Sequence, residues 1–384
     1  QMNYILFDTS RNFKNLLPLS YTRPISDFRV GILTLKEKWE YELKTKFSYY
    51  TQPYLREKFP PIYGEDNIFI NSTILPDKIL LDEITNLETN TYLIRNNVFI
   101  AVRLDRKSAI NFENLNFNDL KAFESISKYN AVEQLWDIFT LNGIEIQRDF
   151  SILTKDRTSE PISSTNTVFN KENIFIEEGA IVECSVLNAK DGFIYIGKNA
   201  EVMENSVIRG SMALCNNSVL KVGSIIYGPT TIGPFSKLGG EINNSVVFGY
   251  SNKAHDGFLG NAVIGEWCNL GAGTNNSNLK NNYDIVKLWN YRDEKFVNTG
   301  LQFCGLIMGD HSKCGINTMF NTGTVIGISC NIYGSDFPRN FIPSFSWGGA
   351  SGYIEYKLDK ALLTAQKAME RRNIKMTQKD VNIM

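Results

Sequence analysis

From Ile196 to Leu238 an apolar residue stands at every sixth position: Ile196, Val202, Ile208, Leu214, Leu220, Ile226, Ile232 and Leu238. The beat returns at Ile264, Leu270, Met308, Cys314, Phe320, Ile326 and Ile332. An isolated strand repeats every two residues and a helix every 3.6, so neither sustains this period. A coil of three short strands does. Each six-residue unit forms one side of a triangular prism and points one apolar residue inward, and stacked coils share a continuous core. A β-sandwich is the competing reading, but its strands recur every ~8–12 residues. The beat starts near Ile176, runs to about residue 335, and breaks from Asn275 to Phe303, a polar, Asn-rich insert. Insertions in such a prism project from an edge, where binding sites are commonly built.

Before the prism the pattern changes. NYILFD (3–8) predicts a buried strand, and NIFINSTILP (67–76) and NTYLIRNNVFIAVRL (90–104) supply three more. Helical spacing is read at Phe28, Ile32, Leu33, Leu35, Trp39 and Leu43, near 77–87, near 116–126, and in a connecting helix within 126–150 that ends at Gly143. Strands alternating with helices predict an α/β layer domain over 1–150. A Ser/Thr-rich linker follows over 151–172, the prism over 173–340, and a tail over 341–384 whose helix carries Leu358, Ala361, Leu362, Ala365 and Met369 on one face.

Composition narrows the functional classes. At 384 residues two domains are expected. A net charge of −1 argues against a general nucleic-acid binder. Six scattered cysteines without a CxxC pair predict neither a disulfide framework nor a metal site. No apolar run reaches the ~18 residues of a membrane span, and the polar start QMNYILFDTS reads as a cytoplasmic protein without a leader. Only two histidines occur, His255 and His311.

The block GYSNKAHDGFLGNAVIGEWCNLGAGTNNSNL (249–279) resembles the acyltransferase half of the bifunctional N-acetylglucosamine-1-phosphate uridyltransferase/glucosamine-1-phosphate acetyltransferase family. It is also similar to archaeal sugar-1-phosphate nucleotidylyltransferases that carry the same hexapeptide domain. TRPxxDxRxGIL at Thr22–Leu33 and EKW at Glu37–Trp39 resemble a Bacteroidetes-type branch with a short N-terminal half. The resemblance implies a Rossmann-like nucleotidyltransferase-type α/β domain followed by a left-handed parallel β-helix that assembles as a homotrimer. It implies acetyl-CoA as acyl donor and an amino-sugar phosphate as acceptor, with an NTP or nucleotide sugar for the N-terminal half.

Residue by residue, it makes His255 the catalytic base, and a side chain titrating near neutrality suits removal of a proton from a sugar amine. Asn278 and Lys287 match catalytic-region residues. Glu241, Lys253, Phe258 and Gly273 fall where substrate contacts are expected, and any of these polar residues could equally decorate a solvated edge. Phe258 replaces the family's usual tyrosine, and Asn243 and Asn244 stand where lysines are usual. The N-terminal half departs further: it lacks the GxGTR loop, Leu19 replaces the signature lysine, and Asn71 and Ser72 stand in place of the acid that holds Mg²⁺. Mg²⁺ therefore enters only if that half is active, and no metal ligands are assigned. Arg11, Lys14, Arg23, Arg29 and Lys38 are the phosphate-gripping candidates there, or else scaffold arginines and lysines bound to acidic loops. The alternative to a transferase is a non-catalytic nucleotide-sugar binding protein or trimeric scaffold.

Overall fold

The computed structural model describes residues 2–384. In the N-terminal domain six strands form one sheet: β1 (Met2–Phe7), β2 (Phe47–Tyr50), β3 (Asp66–Asn71), β4 (Thr91–Arg95), β5 (Val98–Asp105) and β6 (Lys121–Glu124). Their order is β2-β1-β3-β5-β4-β6, with β1 parallel to both neighbours and β5 antiparallel to both of its own. Helix Leu35–Leu43 is started by a capping box between Thr34 and Glu37, and Trp39 anchors it by donating its indole N–H to the Ile74 carbonyl at 3.0 Å. Helix Lys78–Thr85 is capped by Asp77.

Three details differ from the sequence reading. Residues near 116–126 form a 3-10 turn and then edge strand β6 rather than a helix. The connecting helix begins at Asn142 and runs to Thr154, so Gly143 opens it instead of ending it. The first coil strand, Thr167–Phe169, lies inside the expected linker.

The second domain is the prism, a left-handed parallel β-helix. Its first face runs from Thr167–Phe169 to Phe258–Gly260, its second from Ile174–Ile176 to Phe341–Ile342, and its third from Ile181–Val182 to Ser346–Gly349. The six-residue beat is the inward row: Ile196, Leu214, Ile232, Ile264, Met308 and Ile326 stack on the second face and belong to one buried core. Corners demand left-handed backbone, and asparagine, which tolerates it, supplies Asn199 and Asn217 at φ 55° and 60°. The insert folds as a hairpin, Lys287–Asn290 against Lys295–Asn298. No helix is long and apolar enough to cross a membrane among the described residues.

The N-terminal domain lies on the second face. Phe28 and Val30 join Val246, Phe248, Val263, Ile307 and Val325 in one apolar cluster, and Ile32, Leu33 and Phe150 join Phe175, Tyr195 and Ala213 in another. The segment Thr22–Leu33 is thus a docking loop. Thr231 donates to the Gly31 carbonyl at 2.8 Å, and Asp149 accepts the Ile32 and Leu33 amides and the Lys38 ammonium. Gly31 has φ +78°, and a Cβ there would stand 2.6 Å from the Asp149 carboxylate and 2.7 Å from the Glu145 carbonyl carbon. The Arg23 guanidinium, 6% exposed, pairs across the interface with Asp310 on the prism and also faces Glu266 at 3.7 Å. Thr22 donates a further 2.6 Å hydrogen bond to Asp310. Burial would raise the Asp310 carboxyl, but the Arg23 charge outweighs it and holds the group below the usual range.

Removing one member of such a pair strands the other charge. Arg23→Met is expected to cost about 3–5 kcal/mol in urea denaturation, and Asp310→Asn in the same chain should restore part of that loss. Additive losses would show that the two side chains are not coupled.

Candidate functional site

The loop Ala254–Gly257 joins the third face, at Asn252–Lys253, to the first, at Phe258–Gly260. His255 and Asp256 are exposed on it. Gly257 is required by space, since a Cβ there would meet the Thr274 carbonyl oxygen at 1.9 Å. Gly273, with φ +72°, donates its amide to the Asp256 carbonyl at 2.9 Å. Ala254, His255, Asp256 and Gly273, with Met203, Lys221, Val222, Ala272, Ile316 and Asn317, line an open depression of about 670 Å³.

The substrate candidates sort by position. Glu241 neighbours Phe258 in register on the outer side of the first face. A Cβ on Gly260 would meet the Phe258 ring at 2.5 Å and the Asn278 amide nitrogen at 2.8 Å, which places those two side chains together. Asn278 is held by its 2.9 Å hydrogen bond to Asn261. His255, Gly273, Glu241, Phe258 and Asn278 therefore share the third-to-first corner and the first face. Lys287 does not join them within the chain. Its hairpin leaves from the first-to-second corner, and the flanking Val286 and Leu288 pack in the interdomain cluster.

Lys253 departs most from expectation. It occupies the inward row of the third face, between Leu238 and Leu270, where the other rungs include Val182, Val202, Leu220, Cys314 and Ile332. Its ammonium donates 2.9 Å hydrogen bonds to the carbonyls of Gly239 and His255. Burial pushes its pKa down to about 8. It is not placed as a surface contact to substrate: it ties the His255 loop to the core from beneath.

His311 sits at the second-to-third corner with φ 61°, stacked beside Trp267 in a row with Tyr250 and Phe235. Burial lowers its pKa to about 4, so at neutral pH the ring is uncharged. Lys221 is the one cationic lining residue, and the sequence reading missed it. It lies 18 residues, one full coil, after Met203, and that coil period was the signal available to find it.

The phosphate-gripping candidates in the N-terminal domain do not converge. Arg11 and Lys14 are exposed on the one-turn helix Ser10–Asn15. Arg23 is consumed by Asp310, and Lys38, 1% exposed, by Asp149 at 2.5 Å. Arg23 and Lys38 are thus ties within and between the domains, and they offer no cation to a ligand. Arg29 lines the larger of two cavities reached by these residues, about 610 Å³, and Arg23 lines a smaller one of about 250 Å³ beside its partner Asp310.

In open α/β sheets ligands enter at the carboxyl ends of parallel strands. Here those ends close on Asp8, which accepts hydrogen bonds from Thr51 and Ser72 at 2.6 Å each and from the Ile25 amide at 3.3 Å. Asn71 is likewise committed, to the Phe99 carbonyl and to Thr73. These donors do not fit Mg²⁺, and among the described residues no three His, Cys, Asp or Glu side chains are grouped to hold a metal.

Residues 4–158 match the sugar nucleotidyl transferase family. Bifunctional protein GlmU of Methanococcus maripaludis is 26% identical over 279 residues, covering 69% of this chain and 59% of that one. The chain is similar to the bifunctional GlmU proteins over part of their length. A bifunctional sugar-1-phosphate nucleotidylyltransferase/acetyltransferase of Sulfurisphaera tokodaii is 27% identical over 165 residues, 38% of this chain and 41% of the relative. The chain thus spans about half the length of these curated proteins. A solved UDP-N-acetylglucosamine acyltransferase from Bacteroides fragilis overlaps 57% of the chain and 79% of its own at 15% identity and a TM-score of 0.27, too low to argue from.

Two outcomes test this geometry. Lys253→Met places an aliphatic chain in an aliphatic row, so the thermal midpoint should hold, while amide exchange at residues 254–257 speeds up roughly tenfold or more. Unchanged exchange would mean the ammonium does not hold the loop. For Asp8, burial pushes the pKa from 3.8 up to about 6. The protonated carboxyl then stabilises the fold below pH 3.8, and that contribution drains away as pH rises through about 6. Asp8→Asn stays neutral, so its stability relative to wild type should grow between those pH values by about 3 kcal/mol, read from urea midpoints. A difference that ignores pH would place the Asp8 pKa in its ordinary range.

Proposed function

We propose that this chain is a cytoplasmic sugar-phosphate acyltransferase whose reaction takes place at the His255 corner of the prism. The observation that carries the reading is the exposed imidazole on a loop fixed from beneath by Lys253 and from the side by Gly257 and Gly273. It stands over a depression wide enough for two substrates to approach. Acetyl-CoA is the proposed donor and an amino-sugar phosphate the proposed acceptor.

The sugar amine attacks the thioester carbonyl, forming the C–N bond while His255 accepts the amine proton. The tetrahedral oxyanion is met by backbone N–H groups at the corner. Its collapse breaks the C–S bond, and the proton passes from His255 to the departing thiolate. Glu241 and Asn278 orient the sugar on the first face, with the Phe258 ring as its apolar floor. Lys221 offers a positive charge to a phosphate at the same corner.

A homotrimer completes the proposal. Val207, Ile225 and Tyr227 on the first face, and Val222, Ile316 and Met319 beside it, are exposed apolar side chains of the kind that oligomer contacts cover. Lys287, which lies around the next corner, enters the reaction only as a residue contributed by a second copy.

The N-terminal domain is proposed as a binding and docking module of nucleotidyltransferase ancestry, because its strand ends are closed by Asp8 and offer no Mg²⁺ ligands. The rival reading, a trimeric scaffold or nucleotide-sugar binder without catalysis, draws on that same closure.

Free-thiol release from acetyl-CoA with a panel of amino-sugar 1-phosphates separates them. Wild type should turn over, and His255→Ala should lose roughly 10²–10⁴-fold in kcat. Silence with every acceptor would favour the scaffold, and turnover that survives in the variant would remove His255 from the mechanism.

A further inference from the structure

A cavity of about 610 Å³ separates the N-terminal domain from the prism on the side away from His255. Four cationic side chains line it, Arg29, Lys155, Arg157 and Lys198, against two carboxylates, Glu37 and Glu177. Both carboxylates are occupied. Glu177 takes both arms of Arg157, at 3.0 and 2.5 Å, and the Tyr195 hydroxyl at 2.8 Å. Glu37 accepts the Thr34 amide at 2.7 Å as part of a helix cap.

Arg29 is the unusual member. Its side chain is only 12% exposed, yet the nearest carboxylate, Glu37, stands off at 3.8 Å. Its other bonds go to the neutral carbonyls of Ile32, at 2.5 Å, and Phe248, at 3.4 Å. Arg23, buried still more deeply six residues earlier, shows what neutralisation looks like in this fold, with two carboxylates about it. A buried guanidinium whose one carboxylate within 4.0 Å stands at 3.8 Å, in the wall of a cavity whose two lysines have none, is suited to an anion that arrives from solution. Neither Lys155 nor Lys198 has a carboxylate within 4.0 Å among the described residues.

We propose that this interdomain cleft binds a diphosphate-bearing metabolite of nucleotide size. Arg29 and Lys155 from the N-terminal domain and Lys198 from the prism hold the phosphates, and Tyr41 and Tyr195 flank the organic part. The volume lies within the range of small-molecule sites, and the excess of two positive charges matches a diphosphate. Because the site takes side chains from both domains, the ligand also ties them together. The site does not depend on acyl transfer at His255, which lies on the opposite corner of the prism.

Calorimetric titration of the full chain with uridine diphosphate and with inorganic pyrophosphate tests the site. Saturable binding of either probe, one per chain and weaker at high salt, is expected. Lys155→Glu combined with Lys198→Glu, both exposed positions that leave the core untouched, should weaken it roughly tenfold or more with the thermal midpoint retained. His255→Ala should bind as wild type does, which keeps this result separate from the fate of the acyltransferase reading. No saturable binding of either probe, or binding indifferent to the double variant, overturns the site.

Discussion

A guanidinium removed from water has to be neutralised where it lies, and the packing of the two domains follows from that constraint. Arg23 is carried between two 3-10 turns, Leu19–Tyr21 and Ile25–Asp27, and it meets Asp310, a residue of a prism corner nearly three hundred positions later. Either charge alone in that position would be strongly unfavourable, so the loop and the corner must be buried together. Once Arg23 is fixed, the residues behind it have little freedom: Phe28 and Val30 cover Phe248, and Gly31 threads beneath Asp149. The N-terminal sheet is held against the second face by this sequence of contacts, with the apolar area supplying the gain and the ion pair setting the register.

That arrangement explains how the same residues can resemble a transferase signature and yet be unavailable to a substrate. TRPISDFRVGIL supplies arginines in a turn-rich loop after the first strand, which is where phosphate-binding loops also lie. Sequence spacing cannot separate a cation aimed at a ligand from one aimed at Asp310, because the partner is remote in the chain. Lys38 and Asp149 pose the same problem across 111 positions. The absence of a glycine-rich loop and of an acid at Asn71 was visible in the sequence. The closing of the strand ends by Asp8, Thr51 and Ser72 was not, since it joins three separate strands.

The prism was far more legible. Its period is local, each inward residue answers to the same geometric demand, and the row from Ile196 to Leu238 is buried without exception. Legibility failed where the rule was locally broken. Lys253 interrupts an apolar row, and a lysine beside a histidine in a polar loop reads naturally as a surface residue. Only the register with Leu238 turns it inward. The insert shows the same limit: its polarity predicted a projection, but the apolar minority, Val286 and Leu288, decided where it lies.

These two kinds of departure bear differently on function. At the His255 corner, a charge is spent inside the core to hold a backbone carbonyl, a cost with no evident return in stability and an obvious one in the placement of the loop. At the strand ends of the N-terminal sheet, Asp8, Thr51 and Ser72 satisfy one another. A fold keeps uncompensated or strained groups where a ligand or a reaction uses them, and satisfies them where none does. By that criterion the costly groups of this chain are Lys253 beneath the His255 corner of the prism and Arg29 in the interdomain cleft, while the polar side chains at the N-terminal strand ends satisfy one another.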